Sequence, residues 1–149
     1  MVGGDQLTAE QAEALRVELE ELEGPRRAEV VQAIKKAREF GDLSENFEYH
    51  AAKNEQGLLE ARIRTLRHRL DTAEIVEQAS GEEVGIGSVV EVTDEGGEAM
   101  TVEISAVGGA GTVSPTSPLG SALLGHKPGE TVEVSAPRGS WKATIQSIR

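Results

Sequence analysis

From Tyr49 onward, Ala52, Gln56, Leu59, Ile63, Leu66, Leu70 and Ala73 fall at alternating steps of three and four, and all but Gln56 are apolar or aromatic. That spacing keeps one stripe of a helix facing a partner over several turns, a heptad seam. A second, less regular stripe precedes it. Leu15, Leu19 and Leu22 open it, Gly24-Pro25 interrupts it, and Val30, Ile34 and Ala37 resume it at steps nearer four. Proline lacks the amide hydrogen and restricts the residue before it, so Pro25 is expected to end or kink a helix. The pattern therefore predicts a short helix over about residues 8 to 23 and a longer one running to Phe40. Gly41 suits the position just past a helix end, where the backbone turns left-handed. With so short a connection, the two stripes are expected to close on each other as an antiparallel hairpin. An arm near thirty residues long spans roughly 45 Å at the helical rise.

The pattern changes near Ser80. Up to that point glycine is sparse beyond the N-terminus, at Gly24, Gly41 and Gly57, whereas residues 81 to 149 are rich in Gly, Val, Ser and Thr. Residues 88 to 93 and 100 to 107 alternate in part, with the turn-forming Asp94-Glu95-Gly96-Gly97 between them. Ser117-Pro118 reads as an N-cap and first-turn proline, Leu119, Leu123 and Leu124 give a short apolar face, and Gly125 stops it. Strands follow at Thr131–Val134 and Trp141–Ile148. The expected architecture is a helical hairpin over residues 1–78, a linker at 79–84, and an α+β domain over 85–149.

Charge narrows the partners. The net charge is −11; residues 1–80 carry 11 Lys or Arg against 17 Asp or Glu, and residues 81–149 carry 4 against 9. A protein that binds free nucleic acid needs a basic face to neutralise phosphates, which this balance does not supply. There is no cysteine, hence no disulfide and no thiolate metal site. The start of the chain has no secretory pattern, and no stretch is long enough to span a bilayer, so a soluble, cytoplasmic protein with no membrane partner is expected. His50, His68 and His126 lack metal-ligand spacing. Gly108-Gly109-Ala110-Gly111 lacks the Lys-Ser/Thr ending of a phosphate loop and reads as a flexible connection.

The candidate chemistry sits in the turn of the hairpin. Asp42 and Glu45 are three residues apart, a spacing that suits a capping box, with Ser44 as a rival cap. The same two carboxylates suit a shared magnesium site, because that ion keeps several waters and takes one or two carboxylates together with substrate phosphates. Spacing leaves both readings open.

The surrounding residues carry more. Ala37-Arg38-Glu39-Phe40-Gly41-Asp42-Leu43-Ser44-Glu45-Asn46-Phe47-Glu48-Tyr49-His50-Ala51-Ala52-Lys53, with Glu55-Gln56-Gly57 and Glu60-Ala61-Arg62-Ile63 beyond it, resembles the hairpin tip of GreA-type bacterial transcript-cleavage factors, the GreA/GreB family. Residues 114–125, containing Ser117-Pro118-Leu119-Gly120-Ser121-Ala122-Leu123-Leu124-Gly125, resemble that family's C-terminal stretch. Phe47 departs from the pattern, which has a smaller residue there, and residues 108–111 are more compact. The resemblance implies an N-terminal antiparallel coiled coil joined to an FKBP-like α+β domain. It also implies binding to RNA polymerase at the secondary channel, action as a monomer, and stimulation of the polymerase's own cleavage of backtracked RNA near its 3′ end, so that the factor is no enzyme by itself. By the same resemblance Asp42 and Glu45 support a catalytic Mg²⁺ shared with the polymerase, and Arg38, Ser44 and Lys53 contact RNA or protein. Ser117 and Pro118 belong to the stretch that docks on the channel rim. The competing expectation is a channel-binding regulator of the same architecture that inhibits without cleavage.

Overall fold

The computed structural model describes residues 4–42 and 46–149. They form two compact units, one over Glu13–Thr72 and one made of the segment up to Ala12 together with Ala73–Arg149.

The first unit is the helical hairpin. One helical run comprises α1 (Ala9–Glu21), a π-helical turn over Leu22–Arg26, and α2 (Arg27–Arg38); the return helix is α3 (Phe47–Thr72). Pro25 does not end the helix or split it in two, as the sequence led us to expect. It lies inside the π-helical turn, where the Arg27 amide donates to the Leu22 carbonyl five residues back. The wider turn relieves the proline ring's clash with the carbonyl four residues earlier, and the missing amide leaves no broken bond. α2 stops two residues short of the expected end, with Glu39 and Phe40 in a turn. The seam is as the spacing predicts: Val30, Ile34, Ala52, Leu59 and Ile63 form one buried cluster, against which Leu19, Leu22 and Tyr49 pack. Charged pairs brace the seam from α1, the π-helical turn and the start of α2 across to α3. Arg27 holds Glu60 through two bonds of 2.7 and 3.0 Å, and Arg62 holds Glu18 at 3.0 and 3.1 Å. Arg26 pairs with Glu55 and Arg67 with Glu23.

The second unit is built on a five-stranded sheet of order β5-β4-β3-β7-β6, comprising β3 (Val89–Thr93), β4 (Ala99–Ile104), β5 (Thr112–Val113), β6 (Thr131–Ala136) and β7 (Gly139–Ile148). Neighbours are antiparallel except β4 and β5, which run parallel. The short helix α4 (Pro118–Leu123) packs on β6. Val90, Val92, Ile104, Leu123, Val134 and Ile145 lie at the centre of a continuous apolar core. Gly108–Gly111, expected as a flexible connection, forms a bonded loop in which the Thr112 amide donates to the Gly109 carbonyl and the Glu103 amide to that of Gly111.

Like β5, two more short strands escape a pattern-based reading. β1 (Gln6–Leu7) and β2 (Glu74–Ile75) pair in parallel, joining the beginning of the chain to the segment that follows α3. At the start of α1, Thr8 and Gln11 form a reciprocal capping box. The Gln11 amide then donates to a Glu103 carboxylate oxygen and to the Ile104 carbonyl, so the cap also fastens this segment to β4. Gly87 is required beside it: its φ is +86°, and an added Cβ would approach Thr8 Cγ2 to 2.7 Å. No helix among the described residues is long and apolar enough to cross a membrane.

Candidate functional site

The turn of the hairpin is organised around one carbonyl. α2 ends with the Glu39 and Phe40 amides turning back onto the Lys36 and Ala37 carbonyls, and Gly41 takes φ +99°, the left-handed conformation expected past a helix end. On the other side, Asn46 caps α3: its Oδ1 accepts from the Tyr49 amide at 3.0 Å, while its Nδ2 donates to the Ala37 carbonyl at 2.6 Å. A single side chain thus satisfies an orphan amide of one helix and adds a second donor to a last-turn carbonyl of the other. Sequence reasoning passed over Asn46, although Asn immediately before an apolar helical run is a cap signal in itself.

Asp42 lies in this turn and is exposed. Leu43, Ser44 and Glu45 lie outside the described residues, so the carboxylate pair and Ser44's expected contact fall beyond what the structure describes. Among the described residues, the cap of α3 comes from Asn46. Among those residues no group of three or more His, Cys, Asp or Glu side chains is placed to hold a metal ion.

Arg38 and Lys53, expected beside the turn, line one groove together with Val31, Ile34, Lys35 and Gln56; its volume is about 360 Å³. The Arg38 guanidinium carbon lies 6.0 Å from the centre of the Tyr49 ring, within cation–π range. Lys53 Nζ donates to Gln56 Oε1 at 3.0 Å. Lys35 is a third cation of this groove that the sequence reading missed; its signal was the three-residue step to Arg38, which places both on one helix face. The groove therefore combines an aliphatic floor with three cations, a lining suited to an anionic partner with an apolar body.

Ser117 and Pro118 belong to the other unit. Ser117 Oγ accepts from the Gly120 amide at 3.1 Å and donates to the Ser114 carbonyl at 2.6 Å, and Pro118 occupies the first turn of α4, as the N-cap reading expects. Gly120 is essential to that turn, because a Cβ there would lie 1.9 Å from the Ser114 carbonyl oxygen. Pro118 is exposed.

Glu60 and Glu130 titrate below the ordinary carboxylate range. Glu60 is lowered chiefly by its hydrogen bond from Arg27, against a desolvation cost. Glu130 is lowered first by the Lys127 amide and then by His126, whose Nδ1 lies 2.7 Å from it.

Residues 5–75 match the family described as transcription elongation factor, N-terminal, and residues 78–149 match transcription elongation factor, GreA/GreB, C-term. The chain is 46% identical over 151 residues to transcription elongation factor GreA of Caldanaerobacter subterraneus subsp. tengcongensis, covering 96% of each chain. It is 43% identical over 149 residues to GreA of Streptococcus sanguinis, covering 95% of this chain and 93% of that one. Among solved structures it is similar to that of the transcription factor Gfh1, with 32% identity, a TM-score of 0.51, and coverage of 100% of this chain and 99% of the other.

Proposed function

The chain belongs to the GreA/GreB family of transcription elongation factors, and from that premise we propose that its hairpin enters the secondary channel of bacterial RNA polymerase and stimulates the polymerase's own cleavage of backtracked RNA. It is a transcription elongation factor. The observation that carries the finer reading is the exposed Asp42 carboxylate in a turn whose shape is held by a different residue, Asn46.

In this reading Asp42 and Glu45 contribute half a site. Their oxygens are the hard donors that magnesium takes alongside water and phosphate, and two of them are too few to hold it tightly without the polymerase's own acidic residues. The shared ion would polarise the scissile phosphate and activate a water. The chain's own part is to carry the carboxylates to the RNA 3′ end, orient them, and offer Arg38 and Lys53 to phosphate or protein groups. Ser44 is assigned to contact within the channel. The sheet unit, which we read as FKBP-like, docks at the channel rim through the segment at Ser117 and Pro118, where the exposed proline follows a tightly bonded cap. The chain acts as a monomer in the cytoplasm and supplies no catalytic centre alone.

The test replaces Asp42 by Asn and Glu45 by Gln together, keeping shape while removing charge. With purified polymerase stalled on backtracked RNA, the double variant should bind as the parent does while cleavage falls roughly a hundredfold or more, the scale on which losing transition-state charge stabilisation acts. Cleavage at the parental rate would remove the assignment. A parent protein that inhibits synthesis and never promotes cleavage would establish the non-cleaving channel regulator in its place.

A further inference from the structure

Three of the four aromatic residues of this chain fall within ten positions, Phe40, Phe47 and Tyr49, and both of its phenylalanines are there. Tyr49 is engaged, packing on the seam and meeting Arg38 and the His50 ring. The two phenylalanines are spent differently. Phe40 is 63% exposed and Phe47 is 89% exposed. A phenylalanine in water gains nothing for the fold, and the residues around this pair, Arg38, Glu39, Asp42 and Glu48, are charged. The backbone holds both rings at the turn: the Phe40 amide donates to the Ala37 carbonyl, and that same carbonyl accepts from Asn46, the residue before Phe47. Phe40 stands two residues beyond Arg38 in the chain, and Arg38 lines the groove with Lys35 and Lys53.

We infer that Phe40 and Phe47 offer stacking faces to an unpaired nucleobase of the RNA 3′ segment. The inference rests on the reading that the turn reaches that RNA. A nucleotide is a flat π face joined to an anion, and aromatic rings beside cations are the sequence-tolerant way to hold one. An apolar pocket of a protein partner would instead be met by a contiguous aliphatic and aromatic patch, whereas here two rings stand among charges. The residues also suit the task of presenting a base: stacked, the 3′ nucleotide is fixed in orientation while its phosphate stays close to Asp42.

The experiment uses polymerase complexes backtracked on RNA carrying 2-aminopurine as its 3′ nucleotide, whose fluorescence falls when the base stacks. Every protein in the fluorescence measurement carries Asp42→Asn so that the RNA stays intact. The protein with both phenylalanines should quench the probe; Phe40→Leu with Phe47→Leu, which keeps apolar bulk, should abolish the quench; Phe40→Trp with Phe47→Trp should restore it. In the Asp42 background, the Leu pair should lower cleavage at limiting protein by roughly 5- to 150-fold, the span expected from losing stacking on one base. Undiminished quenching with the Leu pair overturns the inference. So does loss of polymerase binding by that pair in complexes with no backtracked RNA, which would place the rings against protein. Failure of the cleavage reading shows separately, as a parent protein that quenches the probe without cutting the RNA.

Discussion

The hairpin and the sheet unit are stabilised by different means, and the contrast explains what each is suited to do. The sheet unit closes ten buried side chains into one core, with Val90, Ile104, Leu123 and Ile145 wholly inaccessible. The hairpin buries five in its main cluster and Leu15, Ala37 and Leu66 besides, and adds guanidinium–carboxylate pairs that remain part-exposed. Burial of apolar surface is indifferent to salt at ordinary concentrations, while exposed pairs are screened. A two-helix arm has too little interior for more than a seam, so its surface charges do part of the holding. Slimness and a strong core are opposed requirements, and the chain meets them in separate units.

Trp141 lies in β7 and Tyr49 in α3, so the single tryptophan and the single tyrosine report on the two units separately. The largest expected effect is on the sheet side: Ile145→Ala should cost about 2–5 kcal/mol, seen as an earlier denaturant midpoint by Trp141 fluorescence. Next is Asn46→Ala, which removes the α3 cap and the bond to Ala37 and should cost about 0.5–2 kcal/mol, read by Tyr49 emission and helical circular dichroism. Asn46→Asp keeps the cap but sets a carboxylate against the Ala37 carbonyl, so it should recover only part of that loss. Smaller again is a salt effect: raising salt to about 1 M shortens the screening length to about 3 Å and should weaken the hairpin while leaving the Trp141 transition in place. A hairpin that is indifferent to salt would refute the division of labour.

Acid gives the last of these tests. Because Glu60's folded pKa is depressed, its contribution is fully present above the unfolded value and disappears as pH falls through the lowered folded value. Helicity of the hairpin should therefore decline below about pH 4.3, the ordinary glutamate range, and Glu60→Gln should flatten that decline. Glu130 is depressed by local partners of its own loop, so Glu130→Gln should alter acid sensitivity at Trp141 and leave the hairpin's profile unchanged.

Much of this was legible in the chain, for local reasons. Heptad spacing revealed the α3 seam because helical periodicity needs no knowledge of the partner, and Ser117-Pro118 announced the α4 cap through neighbours three residues apart. β1, β2 and β5 were not legible: each is two residues long and exists only through pairing with distant or looped-back segments. At the turn, Asn46 caps α3, and its second bond, to Ala37, spans nine residues and leaves no pattern. Lys35 was hidden for the opposite reason, being one cation in a run of exposed charges until the groove showed which face it shares.

The π-helical turn has a consequence of phase. Leu22 and Val30 are eight residues apart, and at about 100° per residue a regular α-helix would leave them about 80° out of alignment. One extra residue taken up in a wide turn removes roughly 100° of that rotation, leaving the two apolar runs within about 20° of a common face. The turn around Pro25 acts as an angular corrector, and it sets the azimuth at which everything beyond it, Asp42 included, is presented. Deleting Pro25 should therefore be tolerated, because the spacing becomes a plain heptad. Deleting Gln32, in the middle of α2, should instead swing the rest of that helix by about 100° and unseat the hairpin, a difference that helicity and Tyr49 emission would register directly.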